Sequence, residues 1–356
     1  MTLPPPRAAY LHIPFCLRRC FYCDFPVVPL GDRADGSRSA AIPHYLESLQ
    51  SEIRASPPGP PLSTVYFGGG TPSLLTAEQL ETLLEALRQR YGLAPGAEIT
   101  LEMDPATFDQ SRLVAVLRSG VNRVSLGGQS FDDAVLQGLG RHHRCQHLQE
   151  AAGWLRQARR QGLLRSWSLD LIQGLPFLPG TPSPDAPEAC RAHWREQLEQ
   201  AIALRPPHLS VYELTLEPGT VFDRHLRQGA LELPDDDLGA DLLDITASRL
   251  GSAGYGRYEV SNYAWPGHAS RHNRVYWSGS GWWAFGMGAT SAPFGERVVR
   301  PRTRDGYAEW LRQGGPPKCD GAKAFPLDEK VLVGLRRREG VNLVALLAQA
   351  GLGADA

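Results

Sequence analysis

The chain has 356 residues, 42% of them hydrophobic and 21% charged, which is the balance of a globular fold and not of a disordered or membrane-spanning one. Lys and Arg number 37 against 38 Asp and Glu, so the formal net charge is −1 and no basic excess points to nucleic acid. No apolar run reaches the roughly 18–20 residues that cross a bilayer, and the opening MTLPPPRAAY lacks the basic and apolar regions of a secretory leader.

The length suits one large domain with an accessory part. Taken in order, short β-type runs fall at 9–15, 64–67, 98–103, 123–128, 167–172 and 209–214. Helical patterns lie between them at 44–54, 76–91, 109–119, 146–161 and 188–204. Thr76 and Gln79 form a candidate capping box, and Leu80, Leu83, Leu84 and Leu87 make one apolar stripe behind it. Six strand–helix alternations predict an α/β class with a parallel sheet wrapped by helices. No G-x-G-x-x-G opens the first unit, so a curved, incomplete (β/α)6 barrel is favoured over a flat doubly wound sheet. In such a barrel the loops at strand C-termini build the site. Those ends carry GGGTP (68–72), Glu102 and Asp104, Gln129, Asp170 and Glu213.

Residues 1–235 are therefore expected to form the barrel and 236–356 an accessory domain. The segment 178–187 is a Pro-rich loop. Beyond 254 the sequence turns to Tyr, Trp and Gly with little helical period, which reads as a β-rich piece packed on the barrel. A helical stretch from Asp328 closes the chain.

Three cysteines stand in CLRRCFYCDF, with the spacing C-x3-C-x2-C at Cys16, Cys20 and Cys23. Three thiolates are one short of a closed site. Structural zinc takes four ligands, usually from two C-x2-C pairs, and no second pair follows, although RHHRCQH offers His143, Cys145 and His147. Buried cysteines without metal are the plain alternative. An iron–sulfur cluster is the third, with one iron left for an outside ligand. Cys145, Cys190 and Cys319 are isolated, so no disulfide framework exists and a reducing cytoplasm is the expected setting.

The triad, with Tyr22 before its last cysteine, resembles the signature of the radical S-adenosylmethionine superfamily. YFGGGTPS, LEMDP, GVNRVSLGGQSF, LGRHH, LDLIQGLP, YEVSNYA and HNRVYW, in this order, are similar to the HemN/HemW group. That group holds an oxygen-independent coproporphyrinogen III oxidase and a haem-binding branch regarded as a chaperone. The oxidase pattern has a further cysteine where this chain has Phe25, and the haem-binding branch carries H-N-x-x-Y-W, here His272–Trp277. The resemblance thus implies a haem chaperone with a [4Fe–4S] cluster on Cys16, Cys20 and Cys23, the oxidative decarboxylase being the alternative. It implies cluster-bound S-adenosylmethionine at Tyr10, Gly69 and Glu102, and Gly70, Thr71, Gln129, Arg141 and Asp170 match positions that hold a second molecule of it in the oxidase. It also implies haem ligation by His272, with His268 a nearby rival. Binding would then weaken as pH falls through the histidine range near about 6.5. Expected partners are haem and haem-acceptor proteins, with no nucleic acid and no transmembrane segment, a peripheral membrane contact being compatible. The expected state is a monomer or weak dimer. Gly128 stands where relatives often have a larger residue, and the chain stops earlier than relatives that continue with a winged-helix-like segment.

Overall fold

A computed structural model describes residues 4–31, 35–175, 186–316 and 325–352. Six strands form its centre: β1 (Ala8–Ile13), β2 (Leu62–Gly69), β3 (Leu93–Met103), β4 (Arg123–Gln129), β5 (Ser166–Gln173) and β6 (His208–Glu213). Each pairs parallel with the next, in chain order. Helices follow each of β1 to β5, as the alternation predicts. They include α1 (Ala41–Ala55), α2 (Ala77–Arg90), α3 (Gln110–Arg118), α4 (Asp133–Gly138), α5 (Cys145–Arg160) and α6 (Ala186–Ala203). The Thr76/Gln79 capping box opens α2 as expected, each side chain accepting the other residue's N–H.

Alternation along the strands divides two environments. Val65, Phe67, Leu101, Val124, Leu126, Leu169 and Leu171 face the helices and are buried among Leu49, Leu83, Leu87, Leu117, Leu148 and Leu155. The alternate residues Thr64, Glu98, Thr100, Arg123, Ser125, Ser168, His208 and Ser210 are buried too, but polar. The inside of the barrel is therefore polar and its outer layer is the hydrophobic core.

Four features depart from the sequence reading. The sheet has nine strands, because later residues join both edges. The strands β7 (Gly256–Arg257) and β8 (Asn262–Ala264) add antiparallel beyond β6, while β9 (Trp283–Phe285) lies parallel against β1. Short helices α7 (Val221–Arg227) and α8 (Asp236–Ser252) follow β6. HNRVYW forms the helix α9 (Arg271–Trp277), capped by the Ser270 hydroxyl, and α10 (Arg304–Arg312) follows. The stretch from Asp328 is two helices, α11 (Leu327–Leu335) and α12 (Leu343–Gln349), parted where Gly340 adopts φ 67°. Most of the predicted loop 178–187, and Cys319, lie outside the described residues. No helix among the described residues is long and apolar enough to cross a membrane.

Gly128 has a packing reason: a Cβ there would sit 2.6 Å from Leu169 Cδ1, so the α5 side of the sheet has closed onto the bare backbone.

One buried ion pair fastens the later residues to the barrel. Arg300 Nε donates to Glu52 Oε1 at 2.8 Å, the two side chains being 3% and 0% exposed. Glu52 Oε2 also accepts from the Tyr307 hydroxyl at 2.7 Å and the Gly286 N–H at 2.8 Å. Desolvating two charges is offset only when their remaining lone pairs and protons are engaged, as they are here. Arg300→Ala leaves Glu52 charged, buried and under-bonded, and is expected to destabilise the fold by about 3–5 kcal/mol. Removing the exposed Arg195 of the pair with Glu188 should leave the melting transition near wild type. Denaturant unfolding of both variants measures the contrast; equal transitions would remove the anchoring role.

Candidate functional site

The C-terminal ends of β2–β6, with the loop that follows β1, open into a cavity of about 370 Å³. Its wall includes Cys16, Cys20, Cys23, Gly69, Gly70, Thr71, Glu102, Gln129, Arg141 and Asp170. The cysteines are held by backbone. After β1, Phe15–Cys16 pair parallel with Val28–Pro29, with Val28 N–H to Pro14 O at 2.7 Å and Leu30 N–H to Cys16 O at 2.8 Å. This clasp closes the loop that presents Cys20 and Cys23. Phe21 fixes the loop from outside, its N–H donating to Leu139 O and its carbonyl accepting from Phe222 N–H.

Burial pushes the Cys16 thiol up to about 12 against a weaker lowering by the Thr71 side chain, and burial also raises Cys23. Thiolates in this setting need cationic ligand partners to persist, and bound iron supplies them. Among the described residues no three His, Cys, Asp or Glu side chains gather as a site for one metal ion. The residues proposed from RHHRCQH as a zinc complement are otherwise engaged. His143 is buried with Nε2 3.0 Å from Gly128 O, the Cys145 thiol lies against the Asp133 carboxylate, and His147 Nδ1 accepts from the Arg144 N–H at 3.0 Å. Three sulfurs spread along one wall match a multinuclear cluster, one thiolate per iron, better than a mononuclear ion.

Two glycines shape the cradle. A Cβ on Gly70 would stand 2.9 Å from Cys16 Sγ and 2.7 Å from Phe15 O, so only glycine lets this turn close on the cysteine. Gly69 has φ 116°, and a Cβ there would meet the His12 ring at 2.5 Å. Its N–H donates to Glu102 Oε2 at 2.9 Å, while Tyr66 O–H donates to Oε1 at 2.9 Å. Burial lifts the Glu102 carboxyl to about 7, with nearby Asp170 adding to it and these two hydrogen bonds opposing. Asp170 is also raised by burial, against hydroxyl donation from Ser125 at 2.7 Å and Ser168 at 2.8 Å.

Arg141 links the strand ends to the cysteine loop. Nη2 donates to Asp104 Oδ2 at 2.5 Å and to Gly127 O at 3.1 Å, and Nη1 lies 3.5 Å from Cys20 Sγ. Its Nε is buried without a partner in the protein. Burial alone raises Asp104, but Arg141 and His143 outweigh it and hold this carboxyl well below the usual range. A β-bulge at the end of β4 places Gln129 at φ 62° and turns it onto the cavity wall. Carboxylates at Glu102 and Asp170, an arginine with an unspent N–H and three thiols make a donor set suited to iron–sulfur and to an amino-acid zwitterion.

Two expected residues lie elsewhere. Tyr10 is set back from the wall: its ring stacks on Tyr66 at 6.1 Å and its hydroxyl is 3.0 Å from His12 Nδ1. His272 is at the opposite end of the barrel, 1% exposed, with Nδ1 2.9 Å from Thr64 Oγ1 and Nε2 2.9 Å from the Tyr276 hydroxyl. Its rival His268 sits beside it in the chain, bonded to Ser166 Oγ at 3.0 Å. Tyr66, Ser125 and Tyr212 line the cavity and were not singled out from sequence. Tyr66 shares the face of Thr64 and Gly68, and Ser125 precedes Gly127 by two, so period-two counting back from the rim finds both.

Comparison with known proteins agrees with this geometry. Residues 10–177 match the family model of the radical SAM superfamily. A protein of Synechocystis named as a heme chaperone, HemW, is 43% identical over 96% of this chain and 80% of its own length. The heme chaperone HemW of Escherichia coli is 40% identical, over 85% of this chain and 75% of its own. A mouse protein, radical S-adenosyl methionine domain-containing protein 1, mitochondrial, is 35% identical over 94% and 74%. Among solved structures, the E. coli coproporphyrinogen III oxidase HemN superposes with a TM-score of 0.76 at 24% identity, covering 98% of this chain and 80% of that one, which shows a shared fold.

Replacing Cys16, Cys20 or Cys23 by Ala is expected to abolish the roughly 400 nm absorbance of thiolate-bound iron–sulfur after anaerobic reconstitution. Cys145→Ala and Cys190→Ala should retain it; four irons held by the triple variant would remove the cluster from this wall. The Glu102 carboxyl yields a pH test. Its folded value lies above the ordinary one, so in the bare protein its stabilising contribution falls as pH rises from about 4.5 to about 7. A cationic ammonium binds the ionised form, so S-adenosylmethionine should bind more tightly at pH 8 than at pH 6, and Glu102→Gln should flatten that slope in a calorimetric titration.

Proposed function

The chain belongs to the HemW family within the radical S-adenosylmethionine superfamily, and from that premise we propose that it binds haem and hands it to acceptor proteins. An iron–sulfur cluster and S-adenosylmethionine go with membership of the superfamily. When bound, the pair supplies one-electron chemistry at a sulfonium. In this chain Cys16, Cys20 and Cys23 would hold the cluster. Glu102 and the 68–72 turn would orient the methionine end, and Asp170 with Gln129 would accept from and donate to the polar remainder. The outer hydrophobic layer, the Phe15–Cys16 clasp and the Phe21 backbone bonds hold that wall in place. We place the protein in a reducing cytoplasm, in keeping with five free cysteines among the described residues. The division into a barrel over 1–235 and an accessory part over 236–356 stands as a proposal, with the later part supplying the haem surface.

The observation that carries the haem reading is an aromatic pocket beside HNRVYW. It measures about 210 Å³ and is lined by Tyr276, Trp277, Trp282 and Phe325, with Arg297 and Lys330 at its border. Trp282 and Phe325 lie nearly parallel, 6.0 Å apart, and Tyr276 meets Trp282 edge-on at 5.0 Å. Flat aromatic walls suit a macrocycle and Lys330 suits a propionate, while Arg297 is paired with Glu329 at 2.6 Å on the same border and would have to exchange that partner for a second propionate. His272 touches this pocket through its bond to Tyr276. Burial, with Arg123 adding to it, lowers its imidazole to about 3, so it stays neutral over the working pH range. The pH dependence expected near 6.5 from sequence is thereby replaced by a flat one between pH 5 and 8. Both ring nitrogens are engaged, so ligation by His272 requires the Tyr276 bond to break.

Phe25 is 56% exposed at the mouth of the cluster cavity and offers no ligand atom. This favours a carrier over an oxidase, and anaerobic incubation with coproporphyrinogen III is expected to give no protoporphyrinogen. Optical haem titration tests the main reading. Trp282→Ala should weaken binding roughly tenfold, about 1.4 kcal/mol. His272→Ala should shift the Soret band while the cluster absorbance persists, and His268→Ala should change little. Wild-type affinity in Trp282→Ala and an unmoved band in His272→Ala would together overturn the assignment of haem to this pocket.

A further inference from the structure

The floor of the barrel, at the N-terminal ends of the strands, holds a buried cation that the rim chemistry does not use. Arg123 begins β4 and is 2% exposed. Its Nε and Nη2 are both buried with no hydrogen-bond partner in the protein, and no carboxylate lies within ion-pair distance among the described residues. Thr100, its register partner on β3, has a buried hydroxyl that is likewise unpartnered. A guanidinium cannot shed its proton to escape burial, so its charge has to be compensated in place.

Arg123 lines a small cavity of about 20 Å³ with Glu98, Arg165, Ser166, His268 and Arg271. Three arginines therefore border it against one carboxylate: Arg123 is buried, Arg165 is exposed to solvent and Arg271 Nη1 donates to Gly96 O at 2.9 Å. That carboxylate is already engaged, since Glu98 Oε1 accepts from the His272 N–H at 3.1 Å and Oε2 from the Arg271 N–H at 3.3 Å. His268 adds no negative charge: Nδ1 is 3.0 Å from Ser166 Oγ and Nε2 3.4 Å from Arg159 Nη2. The volume is enough for one water-sized species, for which roughly 10–15 Å³ suffices, and too small for a tetrahedral oxyanion beside these walls. A water there would satisfy N–H groups but leave the positive charge uncompensated.

We propose that the barrel floor binds a single halide-sized anion, chloride in the cell, held by Arg123 with Arg165 and Arg271. The anion neutralises the buried guanidinium and ties β4 to the segment preceding α9. This site is separate from the cluster wall and does not rest on the haem reading.

Crystals of the full chain soaked in sodium bromide, with diffraction recorded at the bromine edge, test it directly. An anomalous peak within hydrogen-bonding distance of Arg123 is expected, weaker in Arg165→Gln and lost in Arg123→Gln. In solution, the melting temperature should rise with sodium chloride or bromide over sodium gluconate at equal ionic strength, and less steeply in Arg165→Gln. If Arg123→Gln does not fold, the wild-type and Arg165→Gln data decide. Density without anomalous signal, meaning water, or a peak confined to molar bromide, would overturn the proposal.

Discussion

The parallel hydrogen-bond ladders running from Ala8 through Glu213 force the C-terminal ends of six strands onto one rim. Ile13 pairs with Gly69, Met103 with Leu126, Gly127 with Asp170 and Gln173 with Glu213. A slip of one residue in any ladder would turn its polar face toward the leucine-rich layer and its leucines inward. The burial of that layer, worth about 1.5–3 kcal/mol for each large apolar side chain, therefore protects the site's geometry as well as the fold. Each function-bearing group on the rim stands at the end of a strand whose other face is locked.

The same division explains the interior. Because the helices take up the apolar face, the strands can carry serine, threonine, histidine and charged residues inward. These need partners, and most have them: Ser168 Oγ lies 2.8 Å from both Asp170 Oδ1 and His208 Nδ1, and Tyr258 closes the other side of His208 at 2.8 Å. The two ends of the barrel then differ in sign. The rim sets Glu102, Asp104, Asp170 and Glu213 against Arg18, Arg19 and Arg141, with Arg141 already paired to Asp104, so Glu102 and Asp170 are the groups left for an ammonium or sulfonium. The floor holds Arg123, Arg165 and Arg271 against Glu98, and it favours an anion. At the rim, Arg141 joins the Asp104 end of β3 to the Cys20 thiol, so the loop that presents the cysteines is referenced to the sheet by an ion pair as well as by backbone.

The residues after 254 behave as part of this architecture. Their strands complete both sheet edges, which leaves fewer unpaired N–H and C=O groups along the central strands. The Glu52–Arg300 pair then joins α1 to a residue 248 positions away, with Tyr307 and Gly286 on the same carboxylate. The helix α9 is fixed to the sheet by Thr64 and Glu98, so the aromatic pocket and the cysteine-lined cavity share one frame.

Features encoded over a few residues were legible in the sequence. The C-x3-C-x2-C spacing, the GGGTP turn, the Thr76/Gln79 box, the leucine stripe of α2 and the sixfold strand–helix alternation each depend on neighbours in the chain, and together they determined the fold class, the rim and most of its residues. Pairings between distant residues were decided by the tertiary structure. Tyr10 sits within β1, three residues short of its end, with its ring stacked on Tyr66 of the next strand. His272 reads as a ligand candidate until Thr64, 208 positions away, places it against the barrel's inner wall and burial lowers its pKa. Arg123 looks like an ordinary charge at the start of a strand until the curved sheet and the segment before α9 bury it. Local spacing fixes which groups a segment can offer, whereas burial and charge balance depend on what the rest of the chain brings against them.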